Sequence, residues 1–272
     1  MADRAIRRGY VDGGGGQIHY RIAGGTDPEA VPLLMLHPTP KSGWIYEGLM
    51  QPLATGGRAV IAPDTPGYGA SDPLAAPATI AAYADAMFTL IERLTREGRI
   101  PPGPVAVLGY HTGSVTACEM ALARPESVRR LVLFSLPLYD ADERAAKRQA
   151  LSGSPDIPSD GSHLLRMWNI VTGLCDRRVD AAWRHRSVAE NLRACDVAEG
   201  YRAVYRYDLH AALPRIVQPV MLANAGDDLF AQTRLARSLI SDLHYREWPA
   251  MAHGMFDLDT RELAQAVGEF LG

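Results

Sequence analysis

The segment Gly109-Tyr110-His111-Thr112-Gly113 sets an imidazole between a predicted strand, Val105 to Leu108, and a predicted helix, Thr112 to Ala123. A sharp strand-to-helix turn needs small flanking residues, because its central residue adopts a strained backbone conformation that leaves the side chain exposed above the sheet at a helix N-terminus. The two glycines meet that need. An imidazole held there can attack a carbonyl carbon through a ring lone pair, or it can move protons. Ser114 lies past the second glycine, where its hydroxyl is expected to cap the helix rather than to attack. The other histidines lack metal-ligand spacing: His19 and His244 fall on predicted strands near solvent, and His163, His185 and His210 in a helical region. Cys118, Cys175 and Cys195 have neither close pairing nor zinc-site spacing and are expected to be reduced and mostly buried. No metal is expected on these grounds.

The elements that must position this turn alternate along the chain. Ile6 to Val11 and Gln17 to Ala23 read as a hairpin around Gly13 to Gly16, with Ile18, Tyr20 and Ile22 alternating. The glycine run could cradle a phosphate, but no helical pattern follows it, and a turn is the better reading. Val31 to His37 reads as strand, Gly43 to Ala54 as helix, Arg58 to Pro63 as strand and Thr79 to Arg96 as helix. After the Pro101-Pro102-Gly103-Pro104 break come the strand and helix of the turn itself, then strand Val128 to Phe134. From Leu136 to Pro214 the pattern changes to helical stretches, with loop signals at Ser152 to Gly161. Strand Val217 to Ala223, helix Gln232 to Leu239, strand Leu243 to Trp248 and helix Asp257 to Leu271 resume the alternation. Continuous apolar strands, each followed by a helix, mark a mostly parallel sheet covered on both faces.

Composition agrees. The 272 residues are 47% hydrophobic and 22% charged with a net charge of −3, as expected for one globular domain with a large core. Basic residues are scattered among carboxylates, and only Lys41 and Lys147 are lysines. No nucleic-acid or membrane surface is implied, and the expected partner is a small-molecule substrate; a homodimer is left open. Met1 to Tyr10 has arginines but no apolar run behind them, so a cytoplasmic location is expected.

In order and spacing these segments resemble the α/β-hydrolase superfamily from about Ile6 to Leu271. Leu33-Leu34-Met35-Leu36-His37-Pro38-Thr39-Pro40 is similar to its oxyanion-hole segment, with Pro38 where glycine is usual. Ala62 to Asp72 contains its Asp-x-Pro-Gly-x-Gly-x-Ser turn, a structural signature, and His37 is read as an anchor of the oxyanion loop. The resemblance implies an eight-stranded sheet with a helical cap at about 136–214. It makes His253, in Ala252-His253-Gly254, the proton-transfer residue and Asp228 its orienting acid, with Asp227 as the alternative. The amides of Thr39 and Thr112 become the oxyanion-hole candidates. Trp44, Tyr110, Tyr139 and Trp168 are candidates for the substrate pocket, as is Trp183, while Trp248 is expected in the core.

The departure is His111, where the superfamily places Ser, Cys or Asp. Three readings follow: His111 is a nucleophile forming an acyl-imidazole; His111 and His253 are an acid/base pair acting on water or on a lyase substrate; or the pocket binds a small molecule without turnover. The implied function is cofactor-independent hydrolysis of a small, partly apolar carbonyl compound (an ester, a lactone or a carbon-carbon bond). A lyase or decarboxylase is the runner-up.

Overall fold

A computed structural model describes residues 5–75, 77–151 and 157–272. The hairpin forms as expected: β1 (Arg7–Asp12) pairs antiparallel with β2 (Gln17–Ala23), and Gly13 N–H closes the turn on the Gly16 carbonyl at 2.7 Å. Next come β3 (Leu33–Leu36), α1 (Glu47–Leu53), β4 (Val60–Pro63), α2 (Ile80–Arg96), β5 (Val105–Tyr110), α3 (Thr112–Ala123) and β6 (Val128–Phe134). A helical insertion follows: α4 (Ala141–Ala150), α5 (Ser162–Leu174), α6 (Ala181–Leu192), α7 (Glu199–Arg206) and α8 (Leu209–Ala212). Then β7 (Val220–Ala225), α9 (Phe230–Ala236), β8 (Leu243–Trp248), α10 (Met255–Leu258) and α11 (Thr260–Leu271) complete the chain.

The eight strands form one sheet in the order β1-β2-β4-β3-β5-β6-β7-β8. β2 runs antiparallel to both its neighbours, and every later pairing is parallel. Alternation splits each central strand between two cores. Leu34, Leu36, Val105, Val107, Leu131 and Leu133 pack with residues of α2 and α3 on one face. Leu33, Met35, Ala106, Leu108, Val132 and Phe134 pack with α1 and α11 on the other. Each fully buried aliphatic side chain of this kind stabilises the fold by about 1.5–3 kcal/mol, so the strands at the middle of the sheet are the least free to shift.

Asp64 ties the hairpin to the loops above the sheet. Its carboxylate accepts from Arg21 Nη1, His19 Nδ1, and the amides of Gly43 and Ala70, all at 2.8–2.9 Å. Burial disfavours its charge, but these donors outweigh that and hold its carboxyl far below the usual carboxylate range. His19, expected near solvent, is therefore buried as part of this cluster. β7 starts three residues later than the sequence suggests: Val217 is 77% exposed, and the ladder to β6 begins only after Pro219. Of the loop expected at 152–161, residues 152–156 lie outside the described ones, and the rest is without regular structure up to α5. No helix among the described residues is long and apolar enough to cross a membrane.

Candidate active site

β5 ends at Tyr110 and α3 begins at Thr112, so His111 alone makes the turn, with φ 50° and ψ −114°. Glycine is required on both sides by close approach. A Cβ on Gly113 would lie 1.9 Å from the Leu36 carbonyl oxygen, and one on Gly109 would lie 2.4 Å from the Gly113 oxygen. A non-glycine residue at positive φ typically costs about 1–3 kcal/mol, and here the His111 amide is fixed by the Phe134 carbonyl at 3.1 Å. Ser114 is fully buried, and its hydroxyl donates to the same carbonyl at 2.8 Å, so it is no nucleophile.

Four ionisable side chains meet at the turn. His111 Nε2 lies 3.0 Å from Asp227 Oδ2, and His253 Nε2 lies 3.2 Å from Asp228 Oδ1. Each ring thus has its own carboxylate. The buried Tyr110 hydroxyl links the two pairs, 3.0 Å from Asp227 Oδ2 and 2.9 Å from His253 Nδ1. The two rings are 5.2 Å apart centre to centre and share no hydrogen bond.

Proton placement follows from these partners. Burial and the neighbouring Asp227 hold the Tyr110 hydroxyl protonated, and it donates to Asp227. His253 Nδ1–H then donates to the Tyr110 oxygen, which leaves Nε2 with a lone pair. Burial pushes His253 below the ordinary histidine value against the pull of Asp228; in the neutral ring an unprotonated Nε2 and the Asp228 carboxylate are both acceptors, so their 3.2 Å contact is a hydrogen bond only in the charged form. When Nε2 takes up a proton, Asp228 accepts it as a hydrogen bond and stabilises the charge. His111 goes the other way: burial works against its charge, but Asp227, with Asp228 behind it, outweighs burial and raises its affinity for a proton. Asp227 is in turn held far below the usual carboxylate range, the cost of burial being exceeded by the charge and hydrogen bond of His111.

The oxyanion candidates face each other. Thr39 N–H points at Thr112 Oγ1 from 3.5 Å, while Thr112, as the first residue of α3, has an amide with no place in the intrahelical ladder. The Thr39 carbonyl accepts from Tyr201 of α7 at 2.8 Å, which ties the loop to the cap. His37 is a structural anchor: Nε2 accepts from the Thr65 amide at 2.8 Å, Nδ1 donates to the Pro38 carbonyl at 3.0 Å, and burial keeps it neutral.

A largely apolar cavity of about 380 Å³ lies between turn and cap, with His111, His253, Asp228, Thr39 and Thr112 in its wall. Of the pocket candidates, Tyr139 lines it, as does Trp183. Trp44, Tyr110 and Trp168 do not. Trp44 is buried against Trp183, with ring centres 5.8 Å apart; Tyr110 lies beneath the site; and α5 presents Met167, Ile170 and Val171 in place of Trp168. Trp248 is in the core, stacked on Phe134. The three cysteines are free as expected, but only Cys118 is buried and Cys195 is exposed. Lys41, on the cavity wall, was not singled out from sequence as a site residue, although its place two residues after Thr39 was a signal for it.

His111, Asp227, Asp228 and His253 each offer a donor atom within 4.8 Å of the others. That set could close around one divalent ion, a grouping that linear spacing does not display.

Residues 31–249 match the profile of the alpha/beta hydrolase fold, and the chain belongs to that family. It is 30% identical over 164 residues to the AB hydrolase superfamily protein YfhM of Bacillus subtilis, covering 55% of this chain and 54% of that one. Over 141 residues it is 33% identical to the lipase LipV of Mycobacterium tuberculosis, covering 51% and 49%. The chain thus matches about half the length of each of these curated relatives. Among solved structures, a hydrolase from Pseudomonas aeruginosa PA01 superposes with a TM-score of 0.79 at 20% identity, covering 98% of both chains. The enol-lactonase from Burkholderia xenovorans LB400 gives 0.73 at 20% identity, covering 97% and 99%. At such identities the likeness shows the fold.

Proposed function

We propose that the protein hydrolyses a small, partly apolar ester or lactone by direct attack of water, with His253 as general base and His111 as a charged acid. The observation that carries this is the pair of histidines, each with its own carboxylate, whose surroundings push their proton affinities in opposite directions. His253 Nε2 takes a proton from water, and the imidazolium formed is stabilised by Asp228. The new oxyanion is met by the Thr112 amide, by Thr39, and by the positive charge of His111, each aligned donor contributing about 3 kcal/mol. His111 then protonates the leaving oxygen.

An acyl-imidazole on His111 is disfavoured by the same geometry. Asp227 makes its ring easier to protonate than an ordinary histidine, and in the charged form neither nitrogen has a lone pair to attack with. The activities in the names of a lipase and an enol-lactonase support carbonyl hydrolysis on this framework.

The test is hydrolysis of short-chain nitrophenyl esters by the native protein beside His253→Ala and His111→Ala. Loss of about 10²–10⁴-fold in kcat for both is expected, without a burst of nitrophenol in single-turnover mixing. A stoichiometric burst in the native protein that His111→Ala abolishes would establish the acyl-imidazole route instead.

A further inference from the structure

The chain has only two lysines, its other 26 basic residues being arginine. Both lysines line the cavity, and no arginine among the described residues does. Lys41 is the more telling. Its side chain is buried where the oxyanion loop meets the cap, and its ammonium donates to the hydroxyl of Ser187 on α6 and, at 3.5 Å, to the carbonyl of the same residue. Among the described residues it forms no ion pair with a carboxylate. Glu190, one turn further along α6, accepts instead from Ser42 Oγ at 2.6 Å and acts on Lys41 only through space. Lys147, on α4, stands 4.4 Å above the Tyr139 ring and 5.7 Å from that of Tyr205, facing the same space with no carboxylate partner among the described residues.

A charge taken out of water and left without a counterion costs several kcal/mol, and chains keep such groups where a ligand supplies the missing partner. Burial lowers the proton affinity of Lys41 to a pKa of about 8, partly opposed by Glu190, so the ammonium is still the main form at neutral pH. A lysine also suits this place better than an arginine, being a compact point charge on a flexible stem. The acidic groups at the reaction centre, Asp227 and Asp228, are each engaged by a histidine, whereas the Lys41 ammonium donates only to Ser187 among the described residues. An anion entering the cavity is therefore drawn toward Lys41.

We propose that the substrate is an acyl compound carrying a free carboxylate, which pairs with Lys41 while its ester or lactone carbonyl reaches Thr112 and the two histidines. Lys147 adds a second cation along the same path. This rests on the reading of the cavity as a hydrolytic site and names the class of substrate that the site takes.

The experiment compares nitrophenyl hemiesters of succinate, glutarate and adipate with uncharged nitrophenyl esters of matching chain length. At neutral pH the native protein is expected to show a kcat/KM about 10–100 times higher for at least one hemiester than for its uncharged match, since one charge-assisted contact is at stake. Lys41→Met should reduce that ratio to near unity. A native ratio at or below one for every chain length, or a ratio that Lys41→Met leaves unchanged, overturns the proposal. Binding is read separately, with free glutarate in a thermal-shift titration of the native protein and of Lys41→Met. Glutarate that stabilises the native protein but not the variant supports the anion site even if no ester is turned over, in which case only the hydrolytic reading has failed. No stabilisation of either protein by glutarate, with no hemiester preference, rejects the site itself.

Discussion

Replacing Tyr110 with phenylalanine isolates one contact on which the proposed chemistry depends. The ring packs edge-on against Phe256, with centres 5.4 Å apart, so the substitution keeps the packing and removes only the hydroxyl. Two hydrogen bonds go with it, 3.0 Å to Asp227 and 2.9 Å to His253 Nδ1. The second is the one that keeps the lone pair of His253 on Nε2. Without it, Nδ1–H has no acceptor among the described residues, and the tautomer with the proton on Nε2, donating to Asp228, becomes the better one. That form cannot take a proton from water on the cavity side. A hydrogen bond between two neutral groups is worth about 0.5–1.5 kcal/mol, so the productive tautomer should become scarcer by roughly 2–10-fold. The expected outcome is a fall of that size in kcat on nitrophenyl butyrate with little change in KM, because Tyr110 is outside the cavity wall. Circular dichroism should confirm that the fold is kept. A folded Tyr110→Phe protein with native kcat would refute the tautomer argument and remove His253 from the role of base.

The pH profile of kcat/KM should be bell-shaped. The acid limb reports protonation of His253, at a pH below the ordinary histidine value of 6.5, and the alkaline limb reports loss of the proton from His111, above it; a profile with no alkaline limb would contradict the acid role of His111. Added zinc should inhibit reversibly by closing His111, Asp227, Asp228 and His253 around one ion, more weakly in acid because protons compete for the same atoms. Activation by zinc that chelation reverses would instead make metal-bound water the nucleophile. Asp64→Ala should leave Arg21 with Glu47 alone and deprive four donors, on Arg21, His19, Gly43 and Ala70, of their acceptor, costing at least about 3 kcal/mol at about 1–3 kcal/mol for each buried orphan, read as a fall in Tm of at least about 6 °C for a chain of this size; an unchanged Tm would show that the cluster does not hold the hairpin to the loops. Gly113→Ala should prevent folding or displace β3, since the added carbon would overlap the Leu36 carbonyl; a soluble variant with native activity would refute that close approach.

Sheet and helices were legible in the sequence because apolar runs and helical periodicity alternate on both sides of one purely helical stretch, and because the glycines at 109 and 113 can serve little else than a tight elbow. The site was legible only in outline. Asp227 and Asp228 are neighbours in the turn after β7, and linear order cannot say that one turns to His111 and the other to His253. Tyr110 looked like a pocket residue because it adjoins the elbow, yet it is the last residue of a strand and points down into the packed layer, where its hydroxyl can serve only other side chains. Trp44 and Trp168 were misplaced for a similar reason: an aromatic residue near a site in sequence has two faces to choose from, and packing decides between them. Lys41 shows the reverse case, a residue unremarked in a list of charges until the fold closes a cap over it.

The elbow has one further consequence. Its steric demands fall on positions 109 and 113, whereas the backbone at 111 aims whatever side chain stands there toward the same point in the cavity. Position 111 can therefore change chemical type while the surrounding architecture stays as it is. A lineage that exchanged its residue at 111 would have kept the oxyanion amides, the second histidine and the capped chamber from the start. Only the partner carboxylates would have needed to turn toward the newcomer, so a new reaction could be tried without first building a new fold.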